Sequence, residues 1–184
     1  MKILGICGSL RNGSYNMFLL QNAAAIIRKE GAEFESFDLS EIPLYNADLD
    51  GDSKPQPVKK FIEAIANSNG LMLATPEYNY SIPGVLKNAI DWASRPGFQS
   101  VLKNKPAGIV SASMSAVGGA RAQVHLRNVL ASTLSPVFLN PDYLLPSAQN
   151  AFDEHGELQD STARDRLQRY IQHYVEWLAK LQDS

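Results

Sequence analysis

What this chain can fold into is decided largely at its start. A short apolar run, Ile3-Leu4-Gly5-Ile6-Cys7, gives way at once to Gly8-Ser9-Leu10-Arg11-Asn12-Gly13-Ser14-Tyr15-Asn16. The run reads as a buried strand over Lys2 to Cys7, stopped by glycine. The helix that follows carries Phe18, Leu19, Ala23, Ile26 and Ile27 at helical spacing. Ser14 or Asn16 can cap it, and Gly31 ends it.

The same alternation continues to the far end. Glu33 to Leu39 predicts a second strand, and Ser40 to Pro57 a proline-bearing loop long enough to suggest a function. Val58 to Ala66 predicts a short helix with Phe61, Ile62 and Ile65 inward. Leu71 to Ala74 forms the third strand, ended by Thr75-Pro76. Pro83 opens a helix with the stripe Val85, Leu86, Ala89, Ile90, Ala93. Pro106 to Ser113 is the fourth strand, Ala120 to Ser132 a helix, and Val137 to Leu139 the fifth strand. Asp160 to Leu181 closes the chain as a long helix with Leu167, Tyr170, Ile171, Tyr174, Leu178 and Leu181 inside.

Strands alternating with helices at this pitch predict a parallel sheet with right-handed crossovers. Five strands favour the order 2-1-3-4-5, a flavodoxin-like three-layer α/β sandwich with helices on both faces. A length of 184 residues suits one such domain spanning 1–184.

A net charge of −2 gives no basic face for nucleic acid. One cysteine, Cys7, cannot form an internal disulfide and reads as core filler. No apolar run reaches the roughly 18 to 20 residues of a membrane span, and the first strand begins at once without a targeting segment. The expectation is a cytoplasmic protein with no membrane or nucleic-acid partner.

In a parallel sheet of this order, ligands collect at the carboxyl ends of the strands, near the switch point between strands one and three. The two unusual segments, 8–16 and 76–80, leave those two ends. The first can hold an anion. Gly8 and Gly13 let successive N–H groups turn into one concavity. Ser9, Ser14 and Asn16 add side-chain donors, the helix adds its positive end, and Arg11 adds a planar charged fork. Gly8 and Gly13 keep the Walker A spacing, but Ser14-Tyr15 follow where that motif needs Lys-Ser or Lys-Thr. Gly5, Gly8 and Gly13 also miss the dinucleotide intervals; only Asp38, at the end of strand two, mimics the ribose-binding acid of that fingerprint. A turn that merely starts a helix is the plain alternative.

The second segment, Pro76-Glu77-Tyr78-Asn79-Tyr80-Ser81-Ile82-Pro83-Gly84, gathers two aromatics, an amide and a carboxylate in a proline-bracketed loop that serves a core poorly. A flat ring wants apolar faces and a few hydrogen bonds along its polar edge. With the stretch through Val85-Leu86-Lys87-Asn88-Ala89-Ile90-Asp91-Trp92 and Gly118-Gly119-Ala120-Arg121, the chain resembles the NADPH-dependent FMN reductase family, which includes bacterial quinone, chromate and azo-dye reductases. The likeness runs from the first strand to at least Leu130.

That resemblance implies an enzyme that binds FMN and takes a hydride from NADPH or NADH in a ping-pong cycle. Flavins, quinones or similar acceptors then receive it. It implies that Ser9, Arg11, Ser14, Tyr15 and Asn16 contact the FMN phosphate. Pro76, Glu77, Tyr78 and Asn79 would line the ring, with Tyr80 near its rim. Ser111, Ala112 and Ser113 would border it from the other side, Ala112 through its backbone. It further implies a homodimer or homotetramer with sites near the subunit boundary. No catalytic side chain is required, since the flavin carries the chemistry. Backbone N–H groups around Tyr78 to Tyr80 are candidates to favour the reduced flavin.

Arg95, at the end of the helix that the second loop begins, is a candidate substrate contact from the chain itself or a neighbour; a helix C-terminal cation is the competing reading. Glu77 is expected to play a structural part through its side chain. His125, His155 and His173 lack partners at ligand spacing, so no metal is expected. His125 and Arg127 read as solvated, and Trp92 and Trp177 as core or subunit packing. A flavodoxin-like electron carrier is the alternative function; such carriers usually have a strongly acidic surface, and this chain is near neutral.

Overall fold

The computed structural model describes residues 1–182. Five parallel strands form one sheet: β1 (Lys2–Cys7), β2 (Glu33–Phe37), β3 (Gly70–Ala74), β4 (Ala107–Ala112) and β5 (Tyr143–Leu145). Their order is β2-β1-β3-β4-β5, as the strand count implies. The helices are α1 (Tyr15–Lys29), α2 (Gln56–Ala66), α3 (Gly84–Ala93), α4 (Ala120–Ser132) and α5 (Ser161–Gln182).

Two hydrophobic layers flank the sheet because successive strand residues point to opposite faces. Ile3, Met72 and Val110 meet α1 and α5 through Leu19, Ile27, Leu167 and Ile171. Leu4, Ile6, Leu71, Leu73 and Ile109 meet the other helices through Phe61, Ile65, Leu86 and Leu126. The buried tyrosine hydroxyls are hydrogen-bonded: that of Tyr174 donates to the Leu71 carbonyl at 2.7 Å, and that of Tyr170 accepts the Ile109 N–H at 3.0 Å. No helix among the described residues is long and apolar enough to cross a membrane.

The fifth strand is displaced from its expected place. Val137 makes only an isolated parallel bridge to Ala107, and the Phe138 N–H donates to the Ala107 carbonyl at 2.9 Å. Leu139 then turns outward, 85% exposed, and Pro141 has no N–H to give the ladder. Pairing resumes at Tyr143–Leu145 beside Val110–Ala112. The apolar triplet 137–139 is therefore the lead-in, and the strand lies beyond the proline. Leu181, expected inside, is 43% exposed at the end of α5.

The loop after β2 is ordered by a few anchors rather than by a long element. The Pro43 carbonyl accepts from both Asn88 Nδ2 and Trp92 Nε1 at 2.8 Å, and the Tyr45 N–H donates to Asn88 Oδ1 at 2.8 Å. Trp92 is fully buried there with its ring edge-on to Tyr45.

Candidate functional site

At the carboxyl ends of β1, β3 and β4 three segments enclose a cleft of about 380 Å³. Ser9, Arg11, Ser14, Tyr15 and Asn16 form one wall, Pro76, Glu77 and Tyr78 a second, and Ala112, Ser113 and Met114 the third. Residues far apart in sequence thus converge where the parallel topology says a ligand should lie.

The first wall has the groups an anion would need. Gly13 sits at φ +66°, with nothing within 4 Å of the place a Cβ would occupy, so it turns the backbone without filling the concavity. Ser14 caps α1, its hydroxyl accepting the Met17 N–H at 3.4 Å. The N–H groups of Tyr15 and Asn16 belong to the helix's first turn, which has no intrahelical acceptor. Among the described residues they meet no backbone acceptor elsewhere. The Arg11 guanidinium lies 5.0 Å over the Tyr15 ring, which stacks on Phe152. A phosphate here would find a helix N-terminus, free backbone donors and one full positive charge.

Asn16 has a further task. Its Nδ2 donates to the Ala112 carbonyl and its Oδ1 accepts the Ala112 N–H, both at 2.9 Å. Its side chain is spent on joining the first wall to the third, which leaves its backbone N–H for a ligand. Ser111 lies one layer deeper and is fully buried; its hydroxyl donates to the Gly118 carbonyl at 2.6 Å and accepts from Gln123 Nε2 at 2.8 Å. Cys7 lies under the same loop, where burial pushes its thiol up from the usual range against bonds from Ser9 and Ser14.

The second wall is stiffened by a hairpin. The Tyr78 N–H donates to the Ser81 carbonyl at 2.9 Å and the Ser81 N–H returns to Tyr78 at 3.0 Å. Asn79 and Tyr80 between them have φ of 49° and 70°, the signature of a type I′ turn. Asparagine suits that conformation, but a tyrosine in the second place costs about 1–2 kcal/mol. Tyr78 and Tyr80 are 51% and 66% exposed beside the cleft mouth.

The Glu77 carboxylate reaches from the second wall to the start of α4. Gly119, the N-cap of α4, has no side chain to offer and could take none, since a Cβ would lie 2.8 Å from that of Ser111. Glu77 caps the helix from a distance instead. Its Oε2 accepts the N–H of Arg121 at 3.1 Å and of Ala122 at 3.4 Å, and its Oε1 accepts Arg121 Nε at 2.5 Å. The guanidinium so held lies 3.7 Å from the centre of the Tyr80 ring. This use of Arg121, like the buried bridge through Gln123, escaped the sequence reading; both depend on contacts from one element to another.

The remaining candidates fall elsewhere. Arg95 is beyond the C-terminal end of α3, about 15 Å along that helix from the hairpin, and its guanidinium lies 5.3 Å over the Tyr45 ring. Asp38 turns its carboxylate onto the N–H and hydroxyl of Ser40, at 2.9 and 2.8 Å. His125 and Arg127 are not simply solvated. His125 Nδ1 is 3.0 Å from the Ser81 hydroxyl, and Arg127 pairs with Asp142.

The chain's relatives carry the same architecture. The family model described as NADPH-dependent FMN reductase matches residues 1–150. An NAD(P)H-dependent FMN reductase of Pseudomonas aeruginosa is 47% identical over 181 residues, covering 98% of this chain and 97% of its own. A 2-hydroxy-1,4-benzoquinone reductase of a Burkholderia species is 40% identical, with 97% and 96% covered. Among solved structures, the flavoenzyme NAD(P)H:(acceptor) oxidoreductase FerB from Paracoccus denitrificans superposes with a TM-score of 0.89 at 32% identity, covering 97% of each chain. A Pseudomonas aeruginosa flavodoxin shares the fold at 14% identity and TM-score 0.62, with 97% and 99% covered. With these relatives spanning nearly its whole length, and three walls converging on one cleft, this chain belongs to the NADPH-dependent FMN reductase family.

Proposed function

We propose that the chain is an FMN-dependent NAD(P)H oxidoreductase whose acceptors are quinones, flavins or similar flat, reducible molecules. The observation that carries the reading is one cleft whose lining divides between Arg11 with the polar residues at the α1 N-terminus and the segments Pro76–Tyr78 and Ala112–Met114. That division suits a phosphate joined to a planar ring. Relatives named as FMN and quinone reductases support it.

In this reading FMN, when bound, carries the electron pair from the nicotinamide to the acceptor. The protein supplies position and electrostatics. Arg11, the hydroxyls of Ser9 and Ser14, and the N–H groups of Tyr15 and Asn16 hold the phosphate. Pro76, Glu77, Tyr78 and Asn79 offer the ring their backbone, Tyr80 stands at the rim, and Ala112 and Ser113 close the opposite side. Ser111 acts from beneath by fixing the turn at Gly118. Because donor and acceptor are both flat and use one open face, they take turns, which predicts parallel lines in initial-rate plots.

The working assembly is a homodimer or a tetramer built from it. The exposed apolar side chains Tyr78, Tyr80, Met114, Val117 and Val124 gather on the elements around the mouth of the cleft, a surface that a second copy would shield. We place the protein in the cytoplasm as a single domain. The deciding experiment is optical. Purified protein should be yellow and should bleach anaerobically on adding NADPH or NADH. Colourless protein that FMN cannot reconstitute would overturn the proposal, and yellow protein that neither nicotinamide reduces would point to an electron carrier.

A further inference from the structure

Arg121 is the charged residue beside the cleft for which the flavin reading has no use. It grips two points of one hairpin at once. Its Nε and backbone N–H bind the Glu77 carboxylate, and its guanidinium carbon lies over the Tyr80 ring, three residues further on, 3.7 Å from the ring centre. An ordinary surface ion pair would add little. Here the Glu77 side chain is only 7% exposed and receives three donors, two of them backbone N–H groups at the start of α4. The carboxylate is therefore fixed, and Arg121 is fixed by it. Tyr80, the other end of the grip, occupies a left-handed backbone conformation that tyrosine adopts reluctantly. The stacked cation offsets that reluctance.

We propose that Arg121 is a positioning residue for the flavin ring. By clasping Glu77 and Tyr80 together it holds the 76–80 wall rigid against α4, at the separation a planar ring requires, while the phosphate cradle on the opposite wall is independent of it. The inference rests on the reading of the cleft as an FMN site. It differs from a general stabilising role in predicting which part of the ligand notices the change. Loss of Arg121 is felt by the ring and is indifferent to the phosphate. It is also repaired by any change that lets the hairpin keep its turn unaided, and glycine at position 80 does so.

The test uses the apoprotein and quenching of flavin fluorescence, with FMN and riboflavin as probes. Arg121→Ala should weaken both by the same factor, about tenfold. Tyr80→Gly combined with Arg121→Ala should recover most of that loss. If Arg121→Ala does not fold, Arg121→Lys serves in its place. It keeps a charge near Glu77 but lays no planar fork on Tyr80, so a smaller loss, again equal for both probes, is expected. The proposal is overturned if the variant binds both probes like the wild type. It is equally overturned if only FMN binding suffers, which would assign Arg121 to the phosphate, or if glycine at 80 brings no recovery. Wild-type apoprotein that binds neither probe would instead remove the flavin reading beneath it.

Discussion

Asn16 and Ala112 exchange two hydrogen bonds, each 2.9 Å, and thereby tie the first turn of α1 to the end of β4. Both partners are buried, Asn16 at 3% exposure and Ala112 at 2%. Asn16→Ala strands the Ala112 N–H and carbonyl together, and buried groups left unpaired cost about 1–3 kcal/mol each. The expected loss of stability is about 3 kcal/mol, read from urea unfolding. FMN affinity should fall with it, because the phosphate loop loses its register against the third wall. A variant within about 0.5 kcal/mol of wild type would mean that water replaces the amide without penalty.

Arg11 carries the full charge of the cradle. Charge-assisted hydrogen bonds are worth about 1.5–3 kcal/mol, so Arg11→Ala should weaken FMN binding roughly 10- to 100-fold. Riboflavin, which has no phosphate, should bind the variant as it binds the wild type. Arg11→Lys should retain part of the affinity as a point charge without the fork. Equal losses for FMN and riboflavin would move Arg11 away from the phosphate.

How much of this was legible beforehand depended on whether a feature is local. The glycine- and serine-rich loop that forms the first wall stands out because Gly8, Ser9, Arg11, Gly13 and Ser14 are neighbours in sequence. The second wall announces itself as a loop too polar and too aromatic for a core. Their meeting follows from strand order alone, since β1 and β3 are adjacent in the sheet. The grip of Arg121 on Tyr80 is different in kind. It joins two segments some forty residues apart, across an angle that only the packing of α4 sets, and a helical arginine looks the same in sequence whether it is solvated or clasped. Gln123 is hidden for the same reason. The fifth strand was misplaced because Val137-Phe138-Leu139 is the more apolar candidate, while pairing is decided by Pro141, which delays the ladder until Tyr143.

Three tyrosines set an alkaline limit. Burial pushes the hydroxyl of Tyr170 up to about 12. It also raises those of Tyr143 and Tyr174 above their usual value of 10.0. In the unfolded chain each ionises near that usual value, so above it the folded state binds more protons than the unfolded one. Stability therefore falls as pH rises. The slope approaches roughly 1.4 kcal/mol per pH unit for each tyrosine, or about 4 for the three. Cooperative unfolding is expected between pH 10 and 12, with ionisation of three of the seven tyrosines at 295 nm coinciding with the loss of helical circular dichroism. Full ionisation of all seven with the helical signal intact would contradict the buried hydroxyls. Tyr170→Phe, which has no proton to lose, should shift the midpoint upward even though the Ile109 N–H loses its acceptor.

In its own chain Arg95 lies over the Tyr45 ring beyond the C-terminal end of α3 and is not among the residues lining the cleft, so its proposed acceptor contact calls for a neighbouring copy. Two roles are thus open to one measurement. If the proposed dimer brings Arg95 to its partner's cleft mouth, Arg95→Ala should raise KM for anionic acceptors several-fold. KM for neutral quinones and FMN affinity should stay where they are, because a rim charge steers a ligand without holding the flavin. Raising the ionic strength should erase the difference between variant and wild type, as screening removes what the charge supplied. If KM is the same for both classes of acceptor at every salt concentration, Arg95 serves only to cover Tyr45 and pin the loop after β2. The loss would then appear as a fall in melting temperature of a few degrees and nothing more.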